Sequence, residues 1–212
     1  MLGRVVEVVC GQTLDELFQE LIFEPLEMRD TAFWVPEEKT ERLAALYTVA
    51  PGHPQHFRND AMGAGVLDRP HLLSGGGGLV STAADYHRFT KMLLRGGELE
   101  GTRLLGSRTL AGMTRNQLPG GVDLEDFGRA LFAETSYAGV GFGLGFAVVL
   151  DPVAAKWMGN RGEYGWGGAA STAFWVDPVD RVIVIFMTQL MPSSTYPIRS
   201  ELRQLVYQAL VD

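Results

Sequence analysis

The stretch that decides the fold reads Tyr164-Gly165-Trp166-Gly167-Gly168-Ala169-Ala170-Ser171-Thr172-Ala173-Phe174-Trp175-Val176-Asp177-Pro178. Its first half is rich in glycine, which carries no side chain and lets another group approach the main chain closely. From Thr172 to Val176 small and aromatic residues alternate, as in a half-buried strand. The segment is therefore either a strand edge that faces a ligand or a glycine-rich turn that only begins a strand, and by itself it leaves both interpretations open.

Strand-forming segments dominate the last third of the chain. Three antiparallel strands are predicted, at residues 140–150, 171–176 and 181–190, with a tight turn at residues 177–180 between the last two. Pro197 then opens a final helix, because proline suits the first helical position. The apolar stripe of this helix should pack on the sheet and consists of Ile198, Leu202, Leu205, Val206, Ala209 and Leu210.

The preceding part of the chain shows helical periodicity interrupted by long loops. A first helix is predicted from Leu2 to Val9 and stops at Gly11, and a second begins at the capping box opened by Thr13. Residues 1–139 are expected to be mostly helical with long loops, and residues 140–212 to supply antiparallel strands and the C-terminal helix. The predicted class is α+β, with both parts in one incomplete domain.

Composition limits the classes of function. The 212 residues are 46% apolar and 20% charged, as in a folded globular protein, and the net charge is -7. An acidic chain without a run of basic residues argues against nucleic acid and anionic membranes as partners. The longest apolar run, residues 182–187, is far shorter than the roughly 20 residues of a membrane span. Because no export signal is recognisable at the start, the cytoplasm is favoured, although the compartment is left open.

No complete catalytic or metal-binding motif occurs in the sequence. The single cysteine, Cys10, excludes an intrachain disulfide and a zinc site built on thiolates. The two histidines of His53-Pro54-Gln55-His56 do not have the spacing of a helical zinc pair. The glycines of residues 75–78 lack the lysine of a phosphate-binding loop. No metal and no organic cofactor are therefore expected.

Three stretches taken together resemble the serine β-lactamase and penicillin-binding-protein-like hydrolases, especially their class C-like esterase branch. They are residues 2–14 together with Phe23-Glu24-Pro25-Leu26-Glu27-Met28, the glycine segment Ser74 to Asp85, and Gly165-Trp166-Gly167-Gly168. The resemblance covers essentially the whole chain. It implies a β-lactamase/transpeptidase-like α+β fold and acyl transfer, in which a serine of S-x-x-K attacks a carbonyl and a tyrosine of Y-x-N moves the proton.

The resemblance also implies positions for a substrate site. Trp166, Gly167 and Gly168 lie where the family carries its K-T-G triplet on a strand edge that lines the pocket. Esterase-like members are similar in having Trp or His in place of Lys, which favours a small ester over a β-lactam-like substrate. The residue after the triplet, Ala169, would donate its backbone N–H to the oxyanion hole.

The sequence departs from the family pattern in two ways. It contains neither S-x-x-K nor Y-x-N, so it resembles the C-terminal portion of such an enzyme, with the N-terminal part missing and no nucleophile in the chain. Glu27 replaces the glycine usual in the helix-ending P-L-G-M pattern. Two hypotheses remain: a fragment of a serine esterase, inactive alone, or a non-catalytic ligand-binding module. Under either hypothesis the chain should expose apolar surface, which favours self-association or the binding of a complementing N-terminal segment.

Overall fold

The computed structural model describes residues 1–50, 55–128 and 136–211, so His53 lies outside the described residues. The helices are α1 (Leu2–Cys10), α2 (Leu14–Phe18), α3 (Asp60–Gly63), α4 (Ala83–Leu94), α5 (Ser107–Met113), α6 (Leu124–Phe127), α7 (Pro152–Ala155) and α8 (Ile198–Gln208). The strands are β1 (Tyr47–Val49), β2 (His56–Arg58), β3 (Glu98–Leu99), β4 (Thr102–Arg103), β5 (Val140–Phe142), β6 (Ala147–Val149), β7 (Tyr164–Gly167), β8 (Ala173–Asp177), β9 (Val182–Phe186) and β10 (Leu190–Met191).

An antiparallel sheet of five strands, in the order β5-β6-β7-β8-β9, organises the fold. The sequence predicted three strands here, and two of the differences come from glycine. The expected strand at residues 140–150 is a hairpin, β5 and β6, whose turn contains Gly145 with a φ of 91°. The strand β7 was missed because Gly165 and Gly167 lower strand propensity, although both pair with β8.

One face of this sheet packs against α2, its π-helical continuation Gln19–Phe23, and α4. The helix α4 is capped at Thr82, whose side chain accepts a hydrogen bond from the Asp85 N–H. The buried cluster comprises Phe23, Leu26, Met28, Met92, Leu93, Leu99, Leu110, Phe146, Val148, Tyr164, Phe174 and Val176. The cluster contains residues from both sides of position 140. The predicted division of the chain into residues 1–139 and 140–212 stays a prediction.

Glu27 has the backbone conformation that glycine would adopt most easily. Its φ is 52°, in the left-handed region that side chains with a Cβ disfavour. The helix nevertheless ends here, with Met28 N–H bonded to the Phe23 carbonyl, and the Arg88 guanidinium lies 3.5 Å from the Glu27 carboxylate. Glu27 therefore takes the place of the usual glycine with a strained backbone and with an ion pair to Arg88.

A second, smaller sheet forms partly within residues 1–139, which were predicted to be mostly helical with long loops. The strand β1 pairs in antiparallel fashion with β2 and in parallel fashion with β10, so residues near position 48 contact residues near position 190. The Tyr196 hydroxyl also lies 3.1 Å from the His56 ring nitrogen. This pairing was missed because parallel partners distant in sequence leave no local pattern.

Two apolar surfaces lack a covering element in the described part of the chain. The helix α1 forms as predicted and ends at Gly11 in a left-handed conformation, but most of its apolar residues face solvent, namely Leu2, Val5, Val6, Val8 and Val9. The strand β9 is an edge of the main sheet and its five residues are half-buried. Exposed apolar helix faces and open strand edges both favour association.

We therefore expect the 212-residue chain to self-associate or to require a complementing segment. Light scattering at tens of micromolar should give a mass above that of one 23.2 kDa chain. The substitution Val5→Lys together with Val9→Lys, both on exposed positions of α1, should lower that mass, whereas the exposed polar control Thr109→Lys should not. A monodisperse monomer of the unmodified chain would contradict the prediction.

Candidate active-site wall

The triplet Trp166-Gly167-Gly168 lies at the end of β7 and opens the turn that leads into β8. Trp166 is 44% exposed, and its ring contacts Phe142 edge-on with centroids 5.1 Å apart. An aromatic side chain half out of the protein at the end of a strand can contact a ligand that approaches this edge. The predicted substrate-binding residues, which are consecutive in sequence, therefore lie where β7 ends.

The turn after the triplet is held by several hydrogen bonds. Gly168 N–H donates to the Thr172 carbonyl at 2.9 Å, and Ser171 N–H donates to the Gly168 carbonyl at 3.1 Å. Ser171 is buried with a φ of 68°, and its hydroxyl donates to the Leu190 carbonyl at 2.6 Å. Leu190 N–H in turn donates to the Ala170 carbonyl. These bonds fix the backbone on both sides of Ala169.

Ala169, the predicted oxyanion donor, is exposed within this fixed turn. Among the residues that the structure describes, its N–H has no hydrogen-bond acceptor. A backbone donor that is held in place and free to bond is what an oxyanion hole requires. The role of Ala169 stays a prediction, because an oxyanion site needs a nucleophile opposite it.

Arg199, near the start of α8, supports the turn from behind. Its guanidinium donates hydrogen bonds to the Gly168 carbonyl at 2.7 Å and to the Thr172 carbonyl at 3.1 Å. A Cβ at position 167 would lie 2.4 Å from the Arg199 guanidinium carbon, so glycine at this position leaves room for the arginine. Charged donors to backbone carbonyls form strong hydrogen bonds, and Arg199 therefore ties the turn to α8.

A buried polar cluster attaches α8 to the same strands. The Arg203 guanidinium lies between the rings of Trp157 and Trp175, 4.0 and 4.4 Å from their centroids, and forms an ion pair with Glu163. Glu163 directly precedes β7 and is 1% exposed. The helix is thus positioned by contacts to the residue before β7 and to a residue of β8.

Tyr207 links two carboxyl groups within this cluster. Its hydroxyl lies 2.6 Å from Glu163 Oε2 and 2.8 Å from Asp177 Oδ2. Burial raises the pKa of Glu163, while hydrogen bonds from Asn160 and Tyr207 help to hold the pKa of Asp177 below its usual value against the opposing effect of burial. The Tyr207 hydroxyl carries one proton, so it can donate to only one of the two carboxyl groups at a time.

The cavity beside the triplet is small. It measures about 60 Å³ and is lined in part by Trp166, Gly167, Trp175, Arg199 and Arg203. Pockets for small-molecule ligands usually have volumes of roughly 300–1,000 Å³. The described residues therefore do not enclose a pocket of that size beside the triplet.

Neither a metal site nor a membrane span is found in the described ranges. No cluster of three or more His, Cys, Asp or Glu side chains is arranged to bind a metal ion within residues 1–50, 55–128 and 136–211. Over the same ranges, no helix combines the length and apolar character needed to cross a bilayer.

Sequence reasoning missed the residues that support the turn: Glu163, Arg199, Arg203 and Tyr207. The predicted apolar stripe of the C-terminal helix is only partly correct, because Leu205, Ala209 and Leu210 are exposed. The face toward the sheet carries Arg199, Arg203 and Tyr207 instead. A signal was present, since two arginines and a tyrosine recur at spacings of four along α8 and so share one face.

The first prediction from this geometry concerns Arg199. The substitution Arg199→Met should lower the free energy of unfolding by about 1–3 kcal/mol, because two buried carbonyls lose a charged donor. Arg199→Lys should lose less, since it retains the charge without the planar fork. Urea denaturation measures both, with Arg161→Met at an exposed position as control. Equal stability of the Arg199→Met and Arg161→Met variants would show that the contact is unimportant.

The second prediction concerns pH. Below about pH 4.5, the usual glutamate pKa, Glu163 is protonated in both the folded and the unfolded chain. Above that pH the unfolded chain loses the proton first, because burial raises the pKa of Glu163 in the folded chain. The free energy of unfolding contributed by this group should therefore fall as pH rises from the usual glutamate pKa toward the raised one. Glu163→Gln, which cannot ionise, should remove that decline, whereas the exposed Glu37→Gln should not. Urea denaturation between about pH 4 and 8 tests this, and parallel curves for wild type and Glu163→Gln would refute it.

Comparison with known proteins places these features in a family. The family model described as Beta-lactamase matches residues 1–208. Protein Rv1367c of Mycobacterium tuberculosis is 32% identical over 195 residues, which are 91% of this chain and 47% of that protein. Esterase EstB of Burkholderia gladioli is 30% identical over 225 residues, covering 98% of this chain and 52% of the esterase.

A solved structure agrees with this assignment. EstCE1, described as a hydrolase with promiscuous acyltransferase activity, superposes with a TM-score of 0.75 at 27% identity, over 97% of this chain and 54% of that one. The chain thus spans about half the length of the curated relatives it matches. With a family model that covers nearly all of its residues, the chain belongs to the Beta-lactamase family and has the β-lactamase/transpeptidase-like α+β fold that its sequence predicts.

Proposed function

We propose that this chain supplies the pocket wall and the oxyanion donor of a serine esterase that acts through an acyl-enzyme. The observation that carries the proposal is the fixed turn after Trp166-Gly167-Gly168, which leaves the Ala169 N–H exposed and without an acceptor in the described chain. Relatives named as an esterase and as a hydrolase with acyltransferase activity support the same chemistry.

In this proposal each residue of the turn has a separate role. Ala169 N–H donates to the oxygen that becomes negative when the ester carbonyl is attacked, and Arg199 and Ser171 keep that donor in place. Trp166 contacts the apolar part of the substrate, and Gly167 and Gly168 leave the space that Arg199 and Thr172 need to hold the turn. The substrate is a small ester, with a β-lactam-like compound as the alternative, and no metal or organic cofactor takes part.

The nucleophile must come from outside these 212 residues, because the sequence contains no S-x-x-K and no Y-x-N. A segment with both motifs, on the same polypeptide or on a second chain, would cover the exposed edge and complete the pocket. The alternative proposal is a module that binds such ligands without cleaving them, which the missing motifs and the retained Trp166 edge would also allow.

The isolated 212-residue chain should neither hydrolyse a p-nitrophenyl acyl ester nor form a covalent adduct with a fluorophosphonate. Mass spectrometry of the intact chain detects the adduct, and absorbance at the nitrophenolate band detects turnover. Rapid turnover, or one fluorophosphonate per chain on a serine, would overturn the proposal that the nucleophile lies elsewhere.

The esterase and the binding module are distinguished by the codons that precede Met1. If they encode S-x-x-K followed by Y-x-N in frame, the longer chain should be labelled at that serine. In the longer chain Ala169→Pro, which removes the N–H, should lower kcat roughly 10²–10³-fold, whereas Ala169→Gly, which keeps it, should not. Thermal unfolding of both variants separates a lost donor from a lost fold, and an unchanged kcat in a folded Ala169→Pro variant would exclude the oxyanion role.

A further inference from the structure

An open groove of about 650 Å³ lies between the last turns of α4 and the start of β9. Its lining consists of His87, Lys91, Leu94, Arg95, Arg181 and Ile183. Lys91 and Arg95 follow His87 at spacings of four, so the three share one face of the helix. Arg181 comes from the turn between β8 and β9 and faces them across the groove. The protein, acidic overall, therefore has a local concentration of positive charge at this place.

The cations of the groove lack a carboxylate partner in the described part of the chain. Some other arginines and lysines pair with carboxylates, as Lys39 and Arg42 do with Asp30, whereas exposed arginines such as Arg108 and Arg161 do not. In the described ranges Lys91, Arg95 and Arg181 form no ion pair and their side chains donate no hydrogen bond. The feature that distinguishes them from other unpaired arginines is that all three line one groove, on a chain with a net charge of -7.

The backbone conformation of Arg181 is a second, independent observation. Arg181 has a φ of 58°, in the left-handed region where glycine or asparagine is expected in a tight turn. An arginine in this conformation carries a cost that the turn itself does not require. The basic residues of α4 could be explained by the favourable interaction of cations with a helix C-terminus, but that explanation does not extend to Arg181.

The floor of the groove is apolar, because Leu94 and Ile183 are half-buried between the basic side chains. Asp180 precedes Arg181 in the same turn, and its carboxylate accepts a hydrogen bond from Asn160. A ligand that suits both floor and rim carries two or more negative charges on a partly apolar scaffold. Phosphate and carboxylate groups are the anions that arginine binds best.

We propose that this groove is a binding site for a small polyanion that bears phosphate or carboxylate groups. It is separate from the Trp166 edge, since Gly167 pairs with Ala173 at the beginning of β8, whereas Val182 pairs with Asp177 at its end. Four residue steps along a strand amount to about 13 Å, so the two sites lie at opposite ends of one sheet. The proposal does not depend on the proposed esterase function.

Calorimetric titration of the 212-residue chain with pyrophosphate and, separately, with citrate tests the site. At least one of the two anions should bind, and binding should weaken as salt is added. Arg95→Gln combined with Arg181→Gln should raise the Kd at least about tenfold. The matched control removes the same charge at two exposed arginines, Arg108→Gln with Arg161→Gln, and should leave the Kd within about twofold.

A single variant separates binding from folding. Arg181→Gly suits the left-handed backbone and should raise the melting temperature, yet it should weaken anion binding by about threefold. Binding of pyrophosphate alone identifies a phosphate site, and binding of citrate alone a carboxylate site. Absence of binding by both anions, or equal weakening by the groove pair and the control pair, overturns the proposal.

Discussion

The position of the turn after β7 depends on the contacts of the Arg203 guanidinium. This group lies between two indole rings and pairs with a buried glutamate at the beginning of β7. Breaking a buried ion pair by removing one partner commonly costs about 3–5 kcal/mol, so α8 is held firmly against the sheet. Because Arg199 lies one helical turn before Arg203, the same contact determines where its guanidinium meets the turn at residues 168–172.

Two glycines of β7 leave the space that the packing of β8 and α8 against this strand requires. At position 165 a Cβ would lie 2.1 Å from the Phe174 carbonyl oxygen, and at position 167 it would collide with Arg199. The glycines that suggested a ligand-facing edge in the sequence thus have a structural reason as well. The packing of the protein therefore accounts for these glycines, whereas the ligand-facing edge stays a prediction.

Much of the fold could be predicted from local patterns, and the failures share a physical cause. Capping residues and apolar periodicity located α1, α2 and α8, and the turn at residues 177–180 was placed correctly. The strand β7 and the hairpin of β5 and β6 were missed because glycine weakens the strand pattern where cross-strand partners, absent from a local window, determine the structure. The triplet was found through family resemblance, whereas the support from Arg199 and Glu163 needed three-dimensional contacts.

The parallel pairing of β1 with β10 has a consequence for how the chain reaches its fold. Tyr47 pairs with Leu190, so this small sheet cannot close until residue 190 has been synthesised. Contacts between residues so distant in sequence require a large loss of chain entropy and form late. On the ribosome, the hairpin of β1 and β2 must therefore wait with an unpaired edge, which is the interval in which a chaperone would be of most use.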